Sequence, residues 1–232
     1  MHDRHMPVEL HANTYLDLAA WPRRDAFDYF RAFDKPYFNV CTRLDVAGLK
    51  QAVADSGHGS LTLAYHHIAL GLANQFEPMR YRLQGTQVLV HPVVHGSTTV
   101  LREDGGFGFA YLGHHADFAT FAARGAAAVA AARAGHVPFE PRPDDTALIH
   151  FTTLPWVHFT SFSHARNWGR EDSIPKLAFG RIDSDGARAW LPLSVEVHHA
   201  LMDGLHVGQF VQGFEAALRD PGTWLGVPAA MP

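Results

Sequence analysis

Apolar residues recur along the 232-residue chain at two different spacings, and the order of those spacings constrains the fold most. In the first third they return every three or four residues, as on one face of a helix, for example at Phe27, Phe30 and Phe33. Beyond residue 80, short apolar runs are separated by turn residues such as Gly85, which is typical of hairpin-linked strands. This order predicts an α+β fold, a two-layer sandwich of a large mixed β-sheet covered by helices on one face.

The same spacings set the bounds of the predicted elements, and nothing between them separates two domains. No internal repeat and no long Ser/Pro-rich linker is visible, so residues 1–232 are predicted to form a single domain. The proline-containing segment 137–145 is the best loop candidate. The predicted helices are 25–33, 45–56, 63–76, 118–134 and 205–218, and the predicted strands are 81–83, 88–90, 98–101, 107–112, 147–152, 157–162, 177–182 and 187–198.

Histidine is unusually common, with 17 histidines against three lysines, which by itself indicates a metal protein or a pH sensor. The net charge of −4 argues against bulk nucleic-acid binding, because phosphate contacts need basic stripes. Cys41 is the single cysteine, which excludes a disulfide scaffold and a zinc ribbon. The first eight residues have no apolar core of a secretory signal, and the uncharged run 61–76 is too short and too polar for a membrane span. We therefore expect a cytoplasmic protein.

The densest chemistry lies at residues 195–204. A strand of alternating apolar and polar residues ends there in His198-His199, and the chain then turns through Asp203-Gly204 into a helix. A strand end is where a rigid scaffold can present a side chain to a cleft. A neutral imidazole can take a proton from a hydroxyl near pH 7, so a general base is one interpretation. A buried histidine beside a turn aspartate is the other.

Two further histidine pairs lack the Asp-Gly element. His66-His67 is predicted in the middle of a helix, where neighbouring side chains point about 100° apart and cannot easily share a metal. His114-His115 follows Gly113 in a predicted loop. Neither pair is accompanied by His-Glu-x-x-His or carboxylate-rich spacing, so no metal site is predicted and both pairs are interpreted as structural or surface residues.

The segment 198–210 resembles the His-His-x-x-x-Asp-Gly signature of chloramphenicol acetyltransferases. The resemblance covers residues 21–218. Condensation domains of peptide synthetases carry a version of the motif but contain two such lobes, so a single lobe of this length is similar to the small trimeric enzymes. Other segments that follow the family's order are Trp21-Pro22-Arg23-Arg24, Asn74-Gln75-Phe76, Thr152-Thr153-Leu154-Pro155-Trp156, Phe159-Thr160-Ser161-Phe162 and Leu191-Pro192-Leu193-Ser194.

The resemblance implies an acetyl-CoA-dependent O-acetyltransferase in which His199, the second histidine of the pair, is the general base. It would deprotonate an acceptor hydroxyl that attacks the thioester of acetyl-CoA directly, without an acyl-enzyme. Asp203 would pair with Arg23 and brace the loop that carries the base, with Arg24 as the alternative partner. Thr152 stands where the family usually has a serine, and its hydroxyl would donate to the oxyanion.

The resemblance also implies the binding residues. Trp156 and Arg181 would contact coenzyme A, and a homotrimer would place each active site between two subunits. Acetyl-CoA would be a co-substrate, with no metal and no bound cofactor. The implied acceptor-binding residues are Tyr29, Phe30, Thr99, Phe107, His150 and His164.

Two of these residues depart from the family pattern, since His150 replaces an asparagine and His164 replaces an apolar residue. The segment 170–174 is also polar where a tyrosine is usual. Because polar groups without partners are costly to desolvate, these departures favour an acceptor that differs from the family's usual one. The sequence leaves open chloramphenicol, another hydroxyl or amine acceptor, a non-catalytic ligand-binding lobe and a histidine-rich metal binder.

Overall fold

The computed structural model describes residues 13–137, 139, 142, 145–166 and 171–227. Parts of the predicted proline loop, the first twelve residues and residue 170 lie outside this range. The strands are β1 (Thr14–Tyr15), β2 (Tyr37–Asp45), β3 (Tyr81–Gln84), β4 (Gln87–Val90), β5 (His95–Leu101), β6 (Phe107–Leu112), β7 (Leu148–Thr153), β8 (Lys176–Phe179), β9 (Asp183–Ser184) and β10 (Ala189–His198). The helices are α1 (Arg24–Phe30), α2 (Ala47–Ser56), α3 (Leu61–Gln75), α4 (Phe118–Arg133), α5 (Gly204–Arg219) and α6 (Gly222–Leu225), with a 3₁₀ turn at Glu77–Arg80.

Seven strands form the main sheet, in the order β2-β10-β8-β7-β5-β6, with β9 paired to the start of β10. Strand β7 runs parallel to both β5 and β8, and the other pairs are antiparallel. A separate antiparallel sheet joins β1, β4 and β3. The mixed sheet with its helices confirms the predicted α+β class.

Strand β10 shows how the sheet separates its two faces. Leu193, Val195 and Val197 belong to the main hydrophobic core, on the face that the helices cover. Ser194 and Glu196 point to the opposite face because side chains alternate along a strand. They are buried as well, so this second face is not open to solvent at its centre.

Helix α3 lies in the middle of the helical layer. Ten of its residues are buried, and it packs against α2, α4 and α5. Such a helix needs apolar residues on nearly all sides, which its sequence provides. Ser60 begins it by accepting a hydrogen bond from Leu63 N at 3.2 Å.

The second face of the sheet is covered by the segment between β7 and β8, here called the crossing segment, of which residues 154–166 and 171–175 are described. The backbone N of His164 donates to Glu196 Oε2 at 3.1 Å. Near the end of the segment, the Tyr37 hydroxyl donates to Asp172 O at 2.7 Å. The segment is thus fastened to strands β10 and β2.

One predicted strand is absent from the structure, and one strand was missed. Residues 157–162 form no strand: Val157 O accepts one hydrogen bond from Arg181 N, and the segment lies over the face of the sheet instead of extending an edge. Strand β2, in contrast, was not predicted. It is an edge strand of mostly half-exposed residues, so its apolar alternation is weak. Helix α1 also ends at Phe30, earlier than predicted.

Among the described residues, no helix is long and apolar enough to cross a membrane.

Candidate active site

His199 follows the last residue of β10 and lies between aromatic rings. Its imidazole stacks on Phe30, with ring centroids 3.7 Å apart and planes 6° apart, and Phe38 lies 4.6 Å away on a tilted plane. Its backbone N donates to Pro36 O at 2.6 Å. The ring nitrogen Nδ1 is buried and has no hydrogen-bond partner among the described residues. Aromatic packing and the backbone, rather than a carboxylate, therefore hold this imidazole in place.

Arg23 braces the loop that carries His199. Its guanidinium donates three hydrogen bonds of 3.1 Å each, from Nε to Asp203 Oδ2, from Nη1 to Ala200 O and from Nη2 to His199 O. A planar, five-donor group suits this task because it fixes orientation as well as charge. Arg24, the alternative partner of Asp203, pairs with Asp28 on the exposed side of α1.

Asp203 also begins helix α5. Its carboxylate accepts hydrogen bonds from Leu205 N at 3.0 Å and His206 N at 3.3 Å, and the His206 ring lies 2.7 Å away. Burial raises the pKa of this carboxyl, but the hydrogen bonds from His206 and the charge of Arg23 outweigh burial and lower it. The aspartate therefore stays ionised at neutral pH, as ion pair and helix cap.

Thr152 lies far from His199 within one chain. The register places Thr152 opposite Ala178 and Ala178 opposite Ser194, so Thr152 is two strands, or roughly 10 Å, from β10. His199 comes five residues after Ser194, roughly 16 Å farther along the strand. The two side chains therefore cannot contact each other within one chain. The structure thus does not bring the two predicted catalytic residues together in one chain.

Trp156 and Arg181 are neighbours beyond the ends of β7 and β8. Arg181 Nη1 donates to Trp156 O at 3.4 Å and its Nε to Asp183 Oδ1 at 3.2 Å. Both side chains are more than half exposed. Trp156 borders a cavity of about 780 Å³ between α3, α4 and β5, which is also lined by Ser60 and His66.

The predicted acceptor-binding residues fall into two groups. Phe30 stacks on His199, and Tyr29 joins Phe30 and Phe33 in one aromatic cluster. Thr99 and Phe107 lie on β5 and β6, at the other side of the sheet. The first group therefore lies near the predicted base, and the second lies on two strands of which β5 pairs with β7, the strand that carries Thr152.

His150 belongs to a row of polar side chains on the second face of the sheet. The row was not predicted as a unit. Two of its central members are joined by a hydrogen bond, since Lys176 Nζ lies 3.2 Å from His150 Nδ1. Burial, followed by the charge of Lys176, lowers the pKa of His150 to about 3, so this histidine is neutral at pH 7. The row, in register across six strands, consists of Asn39, Glu196, Lys176, His150, Ser97 and Tyr111.

The crossing segment adds opposite charges to this row. Arg166 Nε donates to Glu196 Oε1 at 2.7 Å, and Arg166 Nη1 lies 3.0 Å from Asp172 Oδ2. Lys176 Nζ lies 2.9 Å from the same Asp172 oxygen. The side chains of Arg166 and Glu196 are 3% and 5% exposed, so this is a buried charge network.

His164 lies at the edge of this network. Its Nδ1 is 3.8 Å from Glu196 Oε2, and both ring nitrogens are buried without a hydrogen-bond partner among the described residues. Burial raises the pKa of Glu196, but the nearby His164 ring, the hydrogen bond from the His164 backbone N and the charge of Arg166 lower it to about 2.

Arg166, Lys176 and Glu196 were not predicted as site residues. A charged residue inside the alternating strand Leu193–Val197 could have indicated a polar second face. Its partner, however, is 30 residues away in the chain, and no local pattern connects the two.

The other histidine pairs have no metal-like arrangement. His66 and His67 are buried in α3, and His114-His115 lies in an irregular segment after β6. Within the described ranges, no group of three or more His, Cys, Asp or Glu residues could hold a metal ion.

Comparison with known proteins gives concordant matches. Residues 12–215 match the family described as "Chloramphenicol acetyltransferase". The chain is 31% identical to a chloramphenicol acetyltransferase of Streptomyces acrimycini over 214 residues, which is 90% of this chain and 96% of that protein. It is 26% identical to chloramphenicol acetyltransferase 3 of Escherichia coli over 200 residues, covering 85% and 93%.

Solved structures match in fold. A chloramphenicol acetyltransferase superposes with a TM-score of 0.78 at 24% identity, over 89% of this chain and 100% of that chain. The dihydrolipoamide acetyltransferase of Azotobacter vinelandii superposes with a TM-score of 0.65 at 16% identity, over 85% and 87%.

Proposed function

The chain belongs to the chloramphenicol acetyltransferase family and is an acyltransferase, and we propose that His199 is the general base with which it acetylates an acceptor hydroxyl from acetyl-CoA. The observation that carries this proposal is the triple hydrogen bond from Arg23 to residues 199–203. A base must be held in position to act, and this brace fixes both ends of the loop behind it.

The reaction is a direct acyl transfer. His199 takes the proton of the acceptor hydroxyl while the hydroxyl oxygen forms a bond to the thioester carbon. The carbonyl oxygen becomes an oxyanion, to which the Thr152 hydroxyl donates a hydrogen bond. When the carbonyl re-forms, the carbon–sulfur bond breaks, and the coenzyme A thiolate leaves and takes the proton back. An acyl-enzyme is not required, and the Cys41 thiol lies 3.1 Å from an amide oxygen of Asn39 rather than beside a base.

We infer that the active site is shared between two subunits. The separation of His199 from Thr152 supports this, because within one chain these two residues are too far apart to act on the same reacting atoms. A homotrimer, as the family resemblance implies, closes with three equivalent sites at three interfaces. In each site the base and its aromatic neighbours come from one subunit, and Thr152 with the polar row comes from the next.

The coenzyme would enter beside Trp156. The half-exposed Arg181 would meet one of its phosphates, and the neighbouring cavity of about 780 Å³ is large enough for a pantetheine arm. Chloramphenicol is the acceptor that the relatives' names give, and its acetylation would confer resistance. Because the reaction consumes acetyl-CoA, we place the protein in the cytoplasm.

The test of the proposed base is a thiol-release assay with acetyl-CoA and a panel of acceptors that includes chloramphenicol. We expect His199→Ala to lower kcat by about 10²- to 10⁴-fold, the usual contribution of a general base. The matched control is His58→Ala, because the His58 side chain is exposed and does not border the cavity. Turnover that survives in His199→Ala would contradict the assignment. No turnover with any acceptor would favour a ligand-binding lobe.

A further inference from the structure

We propose that this chain selects acceptors that carry a carboxylate in addition to the reacting hydroxyl. His150 would contact the carboxylate, and Lys176 would hold the charge and the orientation of His150 behind it. This inference rests on the proposed function, which places the acceptor next to Thr152.

His150 and Thr152 are neighbours on the same face of β7. They are two residues apart, so their side chains point the same way and their Cα atoms are roughly 7 Å apart. His150 is half-buried, whereas Lys176 is 6% exposed. An acceptor whose hydroxyl reacts beside Thr152 would therefore meet His150 with a group only a few bonds from that hydroxyl.

The contact with Lys176 determines which nitrogen of His150 faces the acceptor as a donor. An ammonium group has donors only, so in the 3.2 Å contact Nδ1 of His150 must accept. The neutral ring then carries its hydrogen on Nε2. No described residue accepts a hydrogen bond from Nε2, so this donor is available to a bound molecule.

The charge around His150 is unbalanced in the same direction. In the described part of the network, the cations Arg166 and Lys176 pair with the carboxylates Asp172 and Glu196. The buried Arg82 is not bonded to this network, but its positive charge also acts on His150. Histidines 150 and 198 are neutral at pH 7, because burial lowers their pKa values to about 3 and about 4. Arg82 therefore adds a positive charge near His150 that no described carboxylate pairs with, and an acceptor carboxylate would compensate it.

The hydrogen-bond donors of the buried arginines also favour an added negative charge. Arg82 satisfies its guanidinium with four backbone carbonyl oxygens, which carry no net charge. Arg166 Nη2, in contrast, is buried and has no partner in the described ranges. Glu171, the next carboxylate along the crossing segment, is exposed and accepts from Gly85 N instead.

An aromatic wall lies on the same face of the sheet. Phe109 is paired with Thr99, and the rings of Phe107 and Phe139 lie 5.8 Å and 5.1 Å from the Phe109 ring. Phe107 and Phe139 are each about half exposed. The acceptor class that fits both surfaces is a hydroxy acid with an aromatic or other apolar group.

The test compares 3-phenyllactate with 3-phenyllactamide, which share the ring and the hydroxyl and differ only in charge. Binding is measured by calorimetry in the presence of coenzyme A, and transfer is measured by thiol release. Chloramphenicol is the third acceptor. We expect the acid to bind and react at least about tenfold better than the amide.

Variants separate the charge from general packing. We expect Lys176→Met and His150→Phe each to reduce the ratio of acid to amide to about 1, mainly by weakening the acid. Lys176→Arg, which keeps the charge, should keep a preference for the acid, and so should the exposed control Lys50→Met. The wild-type ratio alone tests the proposal if the Met variant does not fold.

The outcomes distinguish this inference from the proposed function. Equal binding and transfer of acid and amide in the wild type, a preference for chloramphenicol, or a preference for acid that persists in both Lys176→Met and His150→Phe would overturn the carboxylate site. Binding of neither probe would overturn it as well. Preferential binding of the acid without transfer to any acceptor would instead leave the carboxylate site standing and contradict the proposed function.

Discussion

At the scale of single residues, the predicted base is held without a carboxylate against its ring. Asp203 does not touch the His199 side chain; it reaches the base only through Arg23, whose other donors hold two carbonyl oxygens of the same loop. The aspartate therefore acts on position, and it also begins α5. These two roles of one carboxylate can be separated by substitution.

We expect Asp203→Ala to lower the free energy of unfolding by about 1–2 kcal/mol, because it removes the cap of α5 as well as the ion pair. Asp203→Asn keeps a capping oxygen and should cost less stability, while kcat falls in both variants because Arg23 loses its charged partner. Urea denaturation and the thiol-release assay measure the two effects. An equal loss of stability in both variants would show that the cap contributes nothing.

The motif spacing singled out the pair His198-His199 and Asp203, whereas the choice of His199 as the base and the role of Arg23 came from the family resemblance. The charge network around Glu196 could not be predicted from the sequence, because the residues that pair with Glu196 come from separate parts of the chain and are brought together only by the fold. His150 and His164 were identified as departures from a family pattern. The contacts of these two histidines could be determined only from the folded structure.

At the scale of elements, the crossing segment decides what the second face of the sheet presents. It has the β-type residues of a strand at 157–162, and that composition led to the wrong prediction. Its described residues are fastened by side chains instead, chiefly Arg166 and Asp172. Strand β2, in contrast, is present but was not predicted, because an edge strand of mostly half-exposed residues lacks a clear apolar period.

We expect Arg166→Ala to lower the free energy of unfolding by about 3–5 kcal/mol, because it leaves Glu196 buried without its cation. The double variant Arg166→Met with Glu196→Gln removes both charges and should lose less. Arg24→Ala is the matched control, since its exposed pair with Asp28 should contribute no more than about 1 kcal/mol. Chemical denaturation of the four proteins checks this order, and a similar loss in Arg24→Ala would contradict it.

At the scale of the whole molecule, the histidine content acquires a physical meaning other than metal binding. Five largely buried histidines have pKa values that are lowered chiefly by burial: about 3 for His66 and His150, and about 4 for His67, His91 and His198. In the unfolded chain these groups regain their ordinary pKa near 6.5. Below that pH the unfolded state binds more protons than the folded state, so stability falls as the pH falls from 6.5 towards 4.

We expect this acid sensitivity to weaken in His66→Phe. The His66 ring stacks on Phe151 at 4.5 Å and has no hydrogen bond to lose among the described residues. Removing one such histidine should reduce the slope of unfolding free energy between pH 6 and pH 4 by up to about 1.36 kcal/mol per pH unit. Urea unfolding at pH 7, 6, 5 and 4, at one protein concentration, measures that slope, and an unchanged slope would refute this origin.

The distance between His199 and Thr152 has a genetic consequence. If each site draws its base from one subunit and its oxyanion donor from the next, two defective alleles can complement each other. A strain that co-expresses His199→Ala and Thr152→Val in equal amounts should regain about one quarter of wild-type activity, because random mixing gives that share of interfaces both intact residues. Neither allele alone should exceed its own residual rate, and mixing purified proteins after assembly should restore nothing until the subunits exchange.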